Sequence, residues 1–201
     1  MRGGFELIDG EGPAGVVTIV LIGNHGPGLW AAFEAGCRAE PDPLDAWTKR
    51  VTDPIAARLG AVAVYPNDSP YHPFQRWARQ AEPVHASPLG ILIHPEWGLW
   101  HAYRGALLFA MPVAGLPVRA EVASPCGSCP SKPCLTACPV SAFDGVRYDV
   151  SACGAHLTTG RDPHCADLGC RARDACPVAP EMRYPDAQIR FHMTAFVRSR
   201  P

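Results

Sequence analysis

The sequence lacks an excess of charge of either sign, and it lacks any long apolar run. Its 201 residues carry a formal net charge of −1 at pH 7, which gives no general attraction to nucleic acid or to an anionic membrane. The longest apolar run, at residues 15–23, is too short to span a bilayer. The first residues also lack the apolar core of a signal peptide. We therefore expect a cytoplasmic protein, and we expect neither a membrane nor nucleic acid among its partners.

Cysteine is nearly absent from the first 125 residues, where Cys37 stands alone. The helical spacing of Cys37 from Leu29 and Phe33 favours a small buried hydrophobe. The other eight cysteines lie between residues 126 and 176. Disulfides that staple a secreted fold are usually spread through the chain, so thiols crowded into one region without an export signal favour metal binding.

Proline and glycine are abundant, at 22 and 19 residues, and they divide the chain into short elements. Apolar periodicity predicts strands at residues 16–22, 61–66, 90–95 and 105–113, and helices at residues 29–37, 42–60, 73–82 and 184–200. Pro54 is expected to break the second of these helices in two, because an internal proline costs about 3 kcal/mol. Because strands and helices alternate before the cysteine region, we predict an α+β fold.

The cysteines form two runs that each end in Cys-Pro. The first run is Cys126-x2-Cys129-x4-Cys134-x3-Cys138-Pro139, and the second comprises Cys153, Cys165, Cys170 and Cys176-Pro177. A [4Fe–4S] cluster takes four thiolates, and bacterial ferredoxin runs also end in Cys-Pro, with the fourth cysteine bound to the other cluster. Eight cysteines make two sets of four, so the pattern predicts two [4Fe–4S] clusters.

The spacing leaves the ligand sets open. In the crossover arrangement, one cluster is held by Cys126, Cys129, Cys134 and Cys176, and the other by Cys138, Cys153, Cys165 and Cys170. The alternative is that each run holds its own cluster. Zinc is a further alternative because it also takes four thiolates, although structural zinc sites usually pair two short Cys-x2-Cys hooks. The first run also has four residues where the bacterial ferredoxin run has two, so its loop differs from that pattern.

Two stretches resemble known families. The segment "IHPEWGLWHAYRGALLF" at residues 93–109 is similar to the His-Pro…Gly-x-Trp…Arg-Gly segment of CblC-type cobalamin-processing proteins, whose fold is related to flavin nitroreductases. The cysteine region resembles the two-cluster ferredoxin module of epoxyqueuosine reductase, which also joins a corrinoid-binding domain to two [4Fe–4S] clusters. Together the resemblances cover most of residues 50–178.

The resemblance implies ligands for both kinds of cofactor. The eight cysteines between residues 126 and 176 are the implied cluster ligands. The residues implied to line a corrinoid (cobalamin) or substrate pocket are His94, Trp97, Gly98, Trp100, Tyr103 and Arg104, with Tyr65, His72 and Trp77 as weaker candidates. The planar guanidinium of Arg104 suits an anionic group. The alternative is that the aromatic rings complete a core and that His94 is a structural histidine.

These observations predict three domains. A CblC-like, nitroreductase-related α/β domain is expected at residues 1–118, a ferredoxin-like domain with two clusters at residues 119–180, and a C-terminal helix at residues 181–201. The predicted function is that of an iron–sulfur redox protein whose clusters deliver electrons from a redox partner protein to a site in the N-terminal domain. The resemblance implies a corrinoid-dependent reduction there.

Two other functions remain open. One is a ferredoxin-type electron carrier without a corrinoid, and the other is a zinc-stabilised interaction protein. Four basic residues lie among the cysteines, and they either face an acidic electron donor or form a solvated loop surface: Lys132, Arg161, Arg171 and Arg173.

Overall fold

The computed structural model describes residues 1–8, 12–159 and 163–199. Residue contacts divide the chain into two compact units. The first unit comprises Met1–Pro83 and His101–Val122, and the second comprises Val84–Trp100 and Ala123–Pro201. The boundaries predicted after residues 118 and 180 did not assign residues 84–100 to the unit that contains the cysteine region.

Secondary structure follows the predicted order, with short elements concentrated after residue 122. The strands are β1 (Gly4–Glu6), β2 (Thr18–His25), β3 (Val62–Val64), β4 (His85–Ala86), β5 (Leu92–Ile93) and β6 (His101–Phe109). The helices are α1 (Gly28–Gly36), α2 (Pro43–Leu59), α3 (Phe74–Ala81), α4 (Pro133–Thr136), α5 (Val150–Thr158), α6 (Pro163–Asp167), α7 (Arg171–Asp174) and α8 (Asp186–Arg198). A single 3₁₀ turn, Pro180–Met182, precedes α8.

The first unit is built on a four-stranded sheet with the order β1-β2-β6-β3. Every pairing in this sheet is antiparallel, which confirms the α+β class. The long central strands β2 and β6 place Ile19 opposite Leu108, and their register shifts at a bulge between Ile22 and Gly23. A Cβ atom at Gly23 would lie 2.1 Å from the Ala102 carbonyl oxygen, so this close approach requires glycine.

Helices α1, α2 and α3 pack on this sheet. One face of α2 is buried through Leu44, Thr48, Thr52 and Ala56. The expectation that Pro54 divides this segment is wrong, because α2 continues through Pro54 to Leu59. The buried side chains of α2 recur every fourth residue and form one face. The packing of this face stabilises the helix enough to offset the loss of the hydrogen bond that Pro54 cannot donate.

Cys37 is exposed, so its expected burial is also wrong. Helix α1 ends at Gly36, and Cys37 has already turned into extended backbone with ψ 144°. The thiol therefore leaves the helical face that carries the buried side chains of Trp30 and Phe33.

The second unit has a small hydrophobic core surrounded by cysteines. The core comprises Leu89, Ile93, Leu99, Ala142, Phe143, Ala172 and Cys176. The β4–β5 hairpin supplies the first part of this core. A separate buried cluster joins Trp100 and Tyr184 to Ile189 of α8. Within the described ranges, no helix is both long enough and apolar enough to cross a membrane.

Candidate metal centre

Four cysteines from both runs line one cavity of the second unit. The cavity is small, with a volume of about 20 Å³, opens to solvent, and is lined by Cys126, Cys129, Cys134 and Cys176. Three prolines next to these cysteines complete its wall, together with Ile93 and Val178: Pro125, Pro133 and Pro177. The structure therefore brings together the first crossover set, in which Cys176 comes from the second run.

The thiols of this first set are close enough to affect one another electrostatically. Burial raises the pKa of Cys126, and the neighbouring thiolates of Cys176, Cys134 and Cys129 raise it further. Burial likewise raises the pKa of Cys134 and of Cys176. Several thiolates in one small cavity repel each other, so a metal centre bound there would supply the positive charge that they lack.

Three cysteines of the second crossover set also interact. Burial raises the pKa of Cys170, and the charges of Cys153 and Cys165 raise it further. Cys153 lies on α5 and Cys165 on α6, and these two helices pack against each other. Cys138 packs on the same hydrophobic core, and its sulfur accepts a hydrogen bond from the Ala142 N–H at 3.3 Å.

Two short helices orient a cysteine in each set. Helix α4 begins after Lys132, which has a positive φ of 38°. The backbone N–H groups of Cys134 and Leu135 lower the pKa of the Cys134 thiol, whereas burial raises it. Helix α7 begins after Cys170, and backbone N–H groups act on that sulfur in the same way. The two helices pack against each other. Hydrogen bonds to sulfur are one of the means by which proteins tune iron–sulfur clusters.

The arrangement of the thiols bears on which metal centre fits. A tetrahedral zinc ion with Zn–S bonds of about 2.3 Å needs sulfurs about 3.8 Å apart. In the part of the chain that the structure describes, no group of three or more His, Cys, Asp or Glu side chains is arranged to hold a single ion. A four-iron cluster instead binds one thiolate at each of its four irons. All nine cysteines lie in the described ranges, and no disulfide joins any of them.

The six predicted pocket residues divide between the two units. His94, Trp97, Gly98 and Trp100 belong to the second unit, whereas Tyr103 and Arg104 belong to the first. His94 is buried and stacks on Trp97, with ring centroids 3.8 Å apart. Its Nδ1 accepts a hydrogen bond from the Glu96 N–H at 3.1 Å, which fixes the ring in the turn.

Gly98 supports the second Cys-Pro segment. Its backbone closes the turn by exchanging two hydrogen bonds of 2.9 Å with His94, and its φ is +56°. A Cβ atom at this position would lie 2.2 Å from the Val178 carbonyl oxygen, two residues after Cys176. The aromatic segment thus packs on the backbone that follows a predicted cluster ligand, a contact that no local sequence pattern predicts.

Trp100 is buried beneath two cationic side chains. The guanidinium of Arg173 lies 4.1 Å from the centroid of the Trp100 ring, and that of Arg183 lies 5.9 Å from it. Tyr184 packs edge-on against the same indole. Sequence reasoning identified neither Arg183 nor Tyr184. Of the basic residues predicted to face a donor, Lys132 and Arg171 are exposed, Arg173 is partly buried, and Arg161 lies outside the described residues.

The first unit has a larger cavity that includes Tyr103 and Arg104. It measures about 950 Å³ with its opening to solvent, and its polar lining includes Tyr65, Asp42, Asp45, Lys49, Asn67 and Asp68. Several of these groups already pair: the Asn67 amide donates to Asp45 at 2.8 Å, and Lys49 donates to Asp68 at 2.9 Å. The buried Nε of Arg104 has no hydrogen-bond acceptor among the described residues. This donor suits a ligand that brings an acceptor oxygen.

Tyr103 is anchored by a buried carboxylate. Its hydroxyl donates to Glu82, whose carboxylate also receives the Arg2 guanidinium at 2.9 Å. Burial and the negative charge of Glu82 raise the pKa of Tyr103 well above its ordinary value, so the phenol stays neutral. Of the weaker candidates, Trp77 is buried and stacks on His72, with centroids 5.3 Å apart.

These features define an α+β unit joined to a module in which two cysteine runs meet. No family model matches the chain, and no curated protein matches it in sequence. The fold is similar to that of solved epoxyqueuosine reductases. One such structure, determined with an epoxyqueuosine-modified tRNA stem loop, is 18% identical, with a TM-score of 0.52 over 88% of this chain and 54% of that one.

Two further structures give the same result. The enzyme from Bacillus subtilis is 17% identical, with a TM-score of 0.51 over 88% of this chain and 54% of its own. The enzyme from Streptococcus thermophilus is 19% identical, with a TM-score of 0.52 over 85% and 51%. The chain therefore spans about half the length of these proteins, and at this identity the likeness establishes the fold.

The expectation that nucleic acid is not a partner is wrong on this finding, because one of the similar structures contains a tRNA stem loop. The argument from net charge fails for a physical reason. A sum of −1 over the whole chain averages acidic and basic surfaces, and it does not describe the local field at any one of them.

Proposed function

We propose that the protein is an iron–sulfur redox protein that holds two [4Fe–4S] clusters in its second unit and delivers electrons to a site in its first. The observation that carries this proposal is the cavity shared by Cys126, Cys129 and Cys134 of the first run and Cys176 of the second. Ligands that cross between two Cys-Pro runs are the arrangement of two-cluster ferredoxins. The fold likeness to epoxyqueuosine reductase supports the same class.

The chain contributes ligands, burial and hydrogen bonds to these centres. When bound, the clusters would supply one-electron transfer at low potential. The core around Ile93, Leu99 and Phe143 limits water near the thiols, which favours a defined potential. Backbone N–H groups at the first turns of α4 and α7 hydrogen-bond to ligand sulfurs and hold them in place.

The proposed acceptor is a corrinoid, bound with its substrate in the cavity of the first unit. Arg104 would donate to an amide or phosphate oxygen of the ligand, since its Nε lacks an acceptor in the described structure. Tyr103, held neutral by Glu82, would line the same wall as a hydrogen-bonding aromatic surface. The substrate proposed by analogy with the structural neighbours is a modified RNA.

Retention of cobalamin by the anaerobic, iron-loaded protein tests this assignment. We expect cobalamin to remain bound through desalting, and we expect Arg104→Met to release it because the guanidinium at the cavity wall, which also pairs with Asp45 at 3.5 Å, is lost. Arg58→Met, an exposed change on α2 outside the cavity lining, is the matched control and should behave as the wild type. Equal retention by both variants would contradict the role of Arg104.

A ferredoxin-type electron carrier is the second candidate. It is favoured by one observation: four of the six residues implied to bind a corrinoid belong to the second unit, and of the six only Tyr103 and Arg104 are among the described residues that line the first-unit cavity. Iron-loaded protein that releases all cobalamin on desalting would establish this function in place of the first.

A further inference from the structure

Arg173 occupies an unusual position for a cation. It lies on α7, three residues after Cys170 and three before Cys176. Its guanidinium packs against two aromatic rings that contact each other, 4.1 Å from the centroid of Trp100 and 5.0 Å from that of Tyr184. The side chain is therefore held in one place, whereas a solvated lysine or arginine samples many rotamers.

The polar contacts of Arg173 are incomplete. One terminal nitrogen donates to the Leu99 carbonyl oxygen at 2.6 Å. Its Nε is sealed from solvent without an acceptor in the described ranges, and none of the carboxylates described there forms a salt bridge with it. A partly desolvated cation without an ionic partner is costly, and cation–π contacts offset only part of that cost.

Two features connect Arg173 with Cys170. The backbone N–H groups of Ala172 and Arg173 hydrogen-bond to the Cys170 sulfur. The guanidinium of Arg173 also lies within electrostatic range of that thiolate, and the two attract each other. Cys170 is thus one of the groups that act on the Arg173 charge, after Tyr184 and before Asp174 in strength, and it is the only predicted cluster ligand among these three.

We propose that Arg173 is a fixed positive charge that raises the reduction potential of the cluster held by Cys138, Cys153, Cys165 and Cys170. This inference rests on the proposed function. One-electron reduction, by a protein or chemical donor, adds one negative charge to the cluster. A nearby cation in a poorly hydrated setting stabilises the reduced form more than the oxidised form.

Arg183 is the matched control because it faces the same indole without these properties. It is partly exposed, and its guanidinium pairs with Asp174 at 3.3 Å and with Asp186 at 2.7 Å. Its charge is thus neutralised locally. Removing it should change the field at Cys170 far less than removing the charge of Arg173.

The test is a redox titration of the anaerobically reconstituted full chain, followed by the electron paramagnetic resonance signal of each reduced cluster. Arg173→Met removes the charge and keeps the stem, Arg173→Lys keeps the charge, and Arg183→Met is the control. We expect one cluster to shift to a more negative potential in Arg173→Met, by more than any shift in Arg183→Met. Arg173→Lys should remain nearer to the wild type.

The outcomes separate this inference from the proposed function. Wild-type protein without iron would overturn the proposed function and this inference together. Iron-loaded Arg173→Met with wild-type potentials would overturn the role of Arg173 alone. If Arg173→Met does not retain iron, Arg173→Gln is titrated against Arg173→Lys, and equal potentials in that pair would likewise contradict the proposal.

Discussion

At the scale of single residues, cysteine was the informative residue type. Thiolates have few structural uses outside metal or disulfide sites, so the cysteine pattern alone predicted a metal module. Spacing left two ligand arrangements open, and the structure brings the first crossover set together at one cavity. Arginine and aspartate carry no such signal, because most of them are solvated. Neither Arg173, which packs on the Trp100 ring, nor Asp45 and Asp68 of the first-unit cavity could be distinguished from surface residues by sequence.

Cys176→Ala tests the crossover at this scale. Because Cys176 shares its cavity with three cysteines of the first run, the variant should lose the iron of one cluster and keep the other. We expect iron to fall by about half, from about eight to about four per chain. The measurement is iron content after anaerobic reconstitution, with the visible spectrum.

Cys37→Ala is the control for this change, because Cys37 is exposed in the first unit. It should keep the full iron content. If Cys176→Ala also keeps all of its iron, Cys176 is not a ligand and the crossover assignment is wrong.

At the scale of elements, periodicity predicted the longer helices and strands and failed where packing decides. Helix α2 keeps its internal proline because one face is buried on the sheet, an effect that local propensity does not contain. The predicted strand at 90–95 is reduced to Leu92–Ile93, since the backbone turns at His94 and Gly98. The turn at Gly98 packs against Val178 of the Cys-Pro segment, and no local pattern encodes a contact between residues so far apart in the sequence.

Gly98→Ala tests the support that this turn gives to the cysteine module. The new methyl group would collide with the Val178 carbonyl at a separation of 2.2 Å. We expect a loss of about 2–4 kcal/mol in the free energy of unfolding, from the clash added to left-handed strain. Thermal unfolding of the iron-loaded variant and wild type measures this loss of stability, and the iron content of the variant should fall in parallel.

Gly90→Ala separates the two causes of that loss. Gly90 also has a positive φ, at +75°, but a Cβ atom there would meet nothing within 4 Å. This variant should show only the strain, about 1–2 kcal/mol. Equal losses in the two variants would mean that the contact with Val178 contributes nothing to stability.

At the scale of the whole molecule, the chain passes through its two units in the order first, second, first, second. Sequence analysis predicted the α+β class and the eight-cysteine module, because composition changes abruptly after residue 122. It could not predict that residues 84–100 belong to the second unit, because their apolar and aromatic composition fits either unit. Reduction of a corrinoid stays a proposal, since the chain spans about half of each structurally similar enzyme.

Iron and acid-labile sulfide content, measured on protein purified without oxygen, tests the central claim most directly. Two [4Fe–4S] clusters predict about eight of each per chain, with a broad visible absorption that dithionite bleaches. Little iron, no labile sulfide and one or two zinc ions per chain would contradict the account, and would reassign the cysteines to structural zinc sites.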